Sequence, residues 1–339
     1  MRKPNRRTHT LKQYAFVFLI LASLVSCKKT IYDLADPATA GIWTLMSTST
    51  GLPANQIRDI KRDTQNNLWV AFSGSGVGVL SNNGEWTYYN TSNSPIISNS
   101  VTSLGPTLDG GMIIGTYYGI SIRSSSGTWS SPNLPAMVIN TIKMGSDGTI
   151  WLGTEGNGII FSNGSGYSQY YDSNYAYVHT IEEDNLGNIY AGTENGLLKW
   201  DGTQLWIYTT AGGLPDNYIQ SLYLDSKNRL WIGTNGGSTV CWMNTSTENF
   251  TQLSLLNSDA GSYVRGIHED KRGHIWFATW FDGLVEYDNV VPYTYKVYNG
   301  FYENDVDCIG DDEYGNLWIG LYSKGLVKYT LPLDNTSVK

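Results

Sequence analysis

The 339-residue chain is poor in the side chains that usually carry reactivity: it has three Cys and four His. Three Cys cannot build a disulfide framework, which excludes a small stapled secreted scaffold. Positive charge is also scarce. Twenty-two Lys and Arg face 30 Asp and Glu, for a net charge of −8, the opposite of the basic footprint that nucleic-acid binding requires. Long apolar runs are missing after residue 26, and the stretch Tyr14 to Ser26 is thirteen residues, too short for a membrane-spanning helix. What the chain has in quantity is Gly, 37 residues, and aromatic residues, 13% of the total.

Those residues are ordered. A thirteen-residue window, Ile57 to Trp69, recurs seven times without an internal gap and ends at Trp69, Ile113, Trp151, Tyr190, Trp231, Trp276 and Trp318. The spacing of 38 to 45 residues fits one four-stranded propeller blade. The first position is always β-branched (Ile57, Val101, Ile139, Val178, Ile219, Val264, Val306) and the fourth is always Ile or Leu, as buried strands prefer. The tenth is always Asn or Gly, which predicts a hairpin turn there. Two residues after the anchor comes Gly or Ala in every unit, from Ala71 to Gly320, where backbones approach closely. A further Gly opens a third strand, and an aromatic-rich segment such as Trp86-Thr87-Tyr88-Tyr89 supplies a fourth.

The seventh unit stops at Gly325 to Tyr329 with little left for a fourth strand, and the missing piece is at the other end. Ile42-Trp43-Thr44-Leu45-Met46 is followed by Gly51-Leu52-Pro53, as Leu205 to Tyr208 is followed by Gly213-Leu214-Pro215. Pairing these ends removes two exposed sheet edges. The expectation is an all-β, seven-bladed β-propeller over residues 41–332, with its last blade closed by the N-terminal strand and a short tail at 333–339.

The pattern Leu-Pro-x-Asn, Ile-x-x-Ile, Asp-x-x-Gly-x-Leu-Trp-Ile-Gly-Thr resembles the two-component regulator propeller repeat, most fully at Leu214 to Thr234 and Val306 to Gly320. Units two and three depart from it at Thr107 and Gly145, where the others have Asp, and unit two has Ile113 for Trp. The resemblance implies the sensor portion of hybrid histidine kinases of Bacteroidetes, associated with glycan sensing. The sequence contains no kinase and no helical transmitter, so the resemblance implies at most the recognition half.

Residues 1 to 13 hold five basic residues and no acidic one, and with the apolar stretch they read as a signal peptide over residues 1–26. Its end, Leu24-Val25-Ser26-Cys27, resembles a bacterial lipobox, which implies lipidation of Cys27 and a tether over residues 27–40. Without the five leader charges, 17 basic residues face 30 acidic ones, a net charge of −13. Cys241 and Cys308 fall two units apart and read as small buried hydrophobes.

In a ring of this strand order the loops from second to third strand, and from outer strand to the next inner strand, surround one mouth of a central channel. They carry Tyr117, Tyr118, Glu155, Glu194, Trp280, Phe281, Asp282 and Tyr322, with Tyr177, Tyr218 and Tyr263 leading into inner strands and Tyr302 in the loop that follows. Flat aromatic faces beside carboxylates suit sugar rings. The second position of the inner strand is polar in all seven units: Arg58, Thr102, Asn140, His179, Gln220, Arg265 and Asp307. These should line the channel, either as an ion-paired, water-filled lining that neutralises Asp307 or as a ligand clamp.

Enzyme signals are weak. Only His179 with Glu194 or Glu155 could imitate the acid–base pair of a propeller lyase. No cofactor or metal is implied, since Asp311 to Gly315 is the ordinary repeat turn and lacks the alternation of a calcium loop. The sequence thus predicts a cell-envelope, lipid-anchored, non-catalytic binding or sensing module for a glycan fragment, or a scaffold for an envelope protein. Cys27→Ser is expected to abolish palmitate labelling and leave the propeller folded. Labelling retained in the variant would refute the anchor.

Overall fold

The computed structural model describes residues 41–236, 239–254 and 263–331. The leader, Cys27, the tether and the tail lie outside the described residues. Twenty-eight strands form seven four-stranded antiparallel sheets, each in simple up-and-down order. Six blades are continuous in sequence. The seventh takes Val306–Asp311, Leu317–Leu321 and Leu326–Thr330 from the C-terminal end and Ile42–Met46 from the N-terminal end. Trp43 lies opposite Tyr329 in this last pairing, and their rings stack with centroids 4.0 Å apart. Among the described residues no helix is long and apolar enough to cross a membrane.

The blades meet through one repeated contact. The β-branched first residue of each inner strand seats on the Gly or Ala of the preceding blade. A methyl group added at Gly233 would lie 2.7 Å from Val264 Cγ1, and one at Gly320 would lie 2.7 Å from Ile57 Cγ2. The last of these contacts closes the ring. The fourth inner-strand position faces the same preceding blade, as Ile60 does against Gly310. A regular strand alternates sides, so it cannot direct its first and fourth residues the same way. The chain solves this with a β-bulge at the second position, which is found in all seven inner strands.

The turn between the first two strands is held by its aspartate. Asp225 is buried and accepts hydrogen bonds from the backbone N–H groups of Lys227 and Arg229, both at 2.9 Å, and from Trp231 Nε1 at 2.8 Å. Asp63, Asp270 and Asp312 bond Trp69, Trp276 and Trp318 in the same way, and Asp184 accepts from the Tyr190 hydroxyl. The tenth residue takes positive φ in every unit, 67° at Asn66 and 59° at Asn228. Burial works against ionisation of Asp270 and Asp312, but the hydrogen bonds from the indoles, from Arg272 and from Asn316 hold both carboxyls below the usual range.

The two departures from the repeat follow from this bond. In blade two Ile113 brings no N–H, so Thr107 can stand in place of Asp. Blade three keeps Trp151 opposite Gly145, and there the indole is only partly buried. Replacing Asp225 by Ala should strand the buried Trp231 N–H and cost about 2 to 4 kcal/mol. Asp109→Ala in blade two, which removes an exposed carboxylate bonded to Thr107, should cost less than about 1 kcal/mol. Chemical denaturation of both variants checks the difference, and equal losses would refute the role given to the Asp–Trp bond.

Candidate ligand-binding site

The inner-strand bulges turn the second position of every blade toward the axis, a common use of a bulge. Arg58, Thr102, Asn140, His179, Gln220, Arg265 and Asp307 all line one central cavity of about 760 Å³. Its upper rim includes Tyr117, Glu155, Tyr177, Glu194, Tyr218, Tyr263 and Trp280. The ring of second positions is uneven. Thr102 donates to the Ile139 carbonyl and Asn140 Nδ2 to the Val178 carbonyl, so blades two and three use these groups to tie neighbouring inner strands together.

On the other side Asp307 is 5% exposed, and its Oδ1 accepts from Trp280 Nε1 at 2.9 Å and lies 3.2 Å from Arg265 Nε. The Arg265 guanidinium stands over the Trp280 ring, 4.4 Å from its centroid, a favourable cation–π placement. Burial pushes the Asp307 carboxyl up, and Arg265 and the indole bond oppose that shift. His179 stacks on Tyr218 with centroids 4.9 Å apart, and its Nε2 lies 3.8 Å from Glu194 Oε1, beyond hydrogen-bonding distance. Burial, reinforced by Arg265, lowers its pKa to about 4. Burial raises the Tyr218 hydroxyl, with Glu194 adding to the effect.

Four aromatic residues at the rim of blades six and seven touch one another. Tyr263 contacts Trp280 at 6.4 Å and Phe281 at 5.7 Å, and Trp280 meets Tyr322 edge-on at 5.4 Å. Phe281 and Tyr322 are exposed. Phe281 also holds a φ of 78°, a strained value for a bulky residue of the kind that concentrates at functional sites, with its N–H bonded to Asp305. Tyr117, Tyr118 and Tyr177 are exposed on blades two to four, away from this cluster.

Two expected site residues sit elsewhere. Asp282 is 1% exposed and ion-paired to Lys296, so it is a buried structural carboxylate and does not belong to the rim. Tyr302 packs with Phe301 against the core between blades six and seven. Trp280, expected as a free rim aromatic, is instead held on both sides by Asp307 and Arg265.

The repeat model described as two component regulator propeller matches residues 51–74, 133–156, 213–236 and 258–281. Four of the seven repeats thus match the two component regulator propeller model. No curated protein matches it by sequence. Among solved structures, the propeller is similar to the extracellular domain of a hybrid two component system from B. thetaiotaomicron (TM-score 0.71, 20% identity), over 85% of this chain and 42% of that one. The chain thus spans less than half of that relative. It is also similar to virginiamycin B lyase from Staphylococcus aureus (TM-score 0.71, 15% identity, 86% and 99% coverage). A third similar structure is PorZ, a bacterial surface component of the type-IX secretion system of Porphyromonas gingivalis (TM-score 0.66, 17% identity, 83% and 47% coverage). At these identities the likeness establishes the fold.

A second ring, not evident from the sequence, lies below the first. The fifth inner-strand positions Lys61, Lys143, Glu182, Tyr223 and His268 line the far end of the cavity. Lys143 pairs with Glu182, Lys61 lies 3.6 Å from Asp59, and Tyr223 packs against His268. Ion pairs and an edge-to-face ring contact thus form a floor. On the turn face of blade six, Asp270, His274 and Glu286 lie close enough together to hold a metal ion. Arg272 Nη2 already bonds Asp270 at 2.6 Å and Glu286 at 2.7 Å, so a guanidinium occupies the cationic position.

The lowered His179 pKa fixes a pH dependence. Above pH 6.5 the ring is neutral in both folded and unfolded chains. As pH falls toward 4 the unfolded chain binds a proton that the folded one refuses, so stability is lost across that window, by about 3 kcal/mol at most. The melting temperature should fall between pH 6.5 and 4, and His179→Gln should flatten part of that slope. Parallel curves for wild type and variant would remove His179 as the cause.

Proposed function

We propose that this propeller is an extracytoplasmic, lipid-anchored binding or sensing module whose aromatic mouth takes a glycan fragment without transforming it. One observation carries the reading: four aromatic side chains form a connected cluster in which Tyr263 and Trp280 line an open polar cavity, with the carboxylates of Glu155 and Glu194 across the mouth. Sugar rings present C–H faces to such aromatics and hydroxyls to such carboxylates. The similarity to an extracellular domain of a two component system supports a recognition role outside the cytoplasm. The lipobox-like sequence Leu24-Val25-Ser26-Cys27 supports lipidation of Cys27 and retention at the envelope.

The geometry argues against a lyase reading despite the similar fold of virginiamycin B lyase. A histidine with pKa near 4 is a feeble general base at neutral pH, and Glu194 is not bonded to it. A protein partner is the second reading, favoured by the exposed tyrosines Tyr117, Tyr118, Tyr171 and Tyr177 on one side of the same face.

Replacing Trp280 and Tyr263 together by Ala should weaken oligosaccharide binding about ten- to a hundredfold, the loss of roughly 1 to 3 kcal/mol of stacking. Trp280→Phe keeps a ring but drops the N–H bond to Asp307, so it separates stacking from support. Calorimetric titration with an oligosaccharide library measures both. Equal binding by wild type and double variant would move the site, and silence of the wild type would favour the protein partner.

A further inference from the structure

The ring of second positions has hydrogen-bonding capacity left over on one side only. Thr102 and Asn140 are occupied by backbone carbonyls. From blade four round to blade one the situation differs. Among the described residues, His179 Nε2 and Asp307 Oδ2 are shielded from bulk water and have no hydrogen-bond partner. Buried polar atoms without a protein partner are uncommon, so they are places where a group of a bound ligand can hydrogen-bond.

The charges around the ring are uneven too. Arg265 is engaged by Asp307, and its guanidinium lies on Trp280. Arg58 lines the same cavity and makes no ion pair or hydrogen bond among the described residues. Its chain neighbour Asp59 does not neutralise it, because Asp59 accepts from the Ile60 and Leu104 N–H groups at 2.8 Å and lies beside Lys61. Arg265 and Arg58 both act on the Asp307 carboxylate, Arg265 the more strongly, so two cations face one anion and a net positive charge remains on this side of the cavity. Glu155 and Glu194 belong to blades three and four, across the seven-membered ring from blade seven.

We propose that the ligand is an acidic sugar, with its carboxylate on Arg58, its ring against the Trp280 and Tyr263 side of the mouth, and a hydroxyl donating to Asp307 Oδ2. This rests on the glycan reading above and narrows it from sugars in general to sugars bearing an anion. The acidic rim opposite fixes orientation, because a carboxylate turned toward Glu155 and Glu194 would be repelled. Guanidinium groups suit carboxylates through paired, charge-assisted N–H donors.

The test is titration calorimetry of the full chain with short oligomers of galacturonic, glucuronic and mannuronic acid, each paired with its carboxyl-reduced neutral form. At least one acid should bind, about tenfold or more tightly than its neutral partner, and the preference should shrink as salt is raised. Arg58→Gln should bring the acid down to the neutral level, while Arg58→Lys keeps part of the preference. Equal affinity for acidic and neutral members of a pair overturns the anion site but leaves the glycan reading standing. So does an acid preference that survives in Arg58→Gln. Failure of every oligomer, acidic and neutral, overturns both. Should Arg58→Gln not fold, the acid–neutral comparison on the unaltered chain decides alone.

Discussion

A methyl group's width separates one blade from the next. The β-branched residue that begins each inner strand occupies space that exists only because the preceding blade has Gly or Ala two residues after its anchor. The contact fixes how far each blade is rotated from its neighbour, and repeated seven times it brings Ile57 onto Gly320. A larger residue at any one of these positions would push two backbones apart, and the error would be felt around the whole ring because packed interiors transmit strain.

The same packing creates the site. Sending the first and fourth residues of an inner strand toward the same neighbour requires one extra residue between them, and that residue has nowhere to point except the axis. The polar ring around the cavity is therefore a by-product of blade packing. Its chemistry is free to vary because its geometry is fixed elsewhere. Variation is what the ring shows: two members tie neighbouring blades together, two form an ion pair, and the others retain capacity for a partner.

Much of the architecture was legible in the chain. The repeat, the turn residues and the displaced strand that completes blade seven all follow from local preferences applied seven times over. The bulge leaves a trace too, in the odd spacing of the apolar first and fourth positions, but burial of both positions alone does not say that they face the same neighbour. What could not be read was which exposed-looking residues have local partners. Asp282 lies beside two aromatic residues in sequence, but its Lys296 partner stands fourteen residues away on the connection that follows the blade. Trp280 reads as a loop aromatic until Asp307, on the next blade, is seen to accept its N–H. The ring of fifth positions escaped because its members differ in type, and only the shared direction imposed by the bulge groups them.

The strand Ile42–Met46 is made before every other strand of the ring, and its partner, Leu326–Thr330, after all of them. Loop closure grows costlier only slowly with length, by about 0.6 kcal/mol per doubling, so waiting is thermodynamically cheap. Its kinetic meaning is larger. Blades one to six can each form from neighbouring sequence, but the ring stays an open arc with two bare edges until the final strand arrives. A chain interrupted before residue 330 would therefore leave strand Ile42–Met46 without its full partner and the ring with exposed sheet edges, the kind of edge that pairs with other chains.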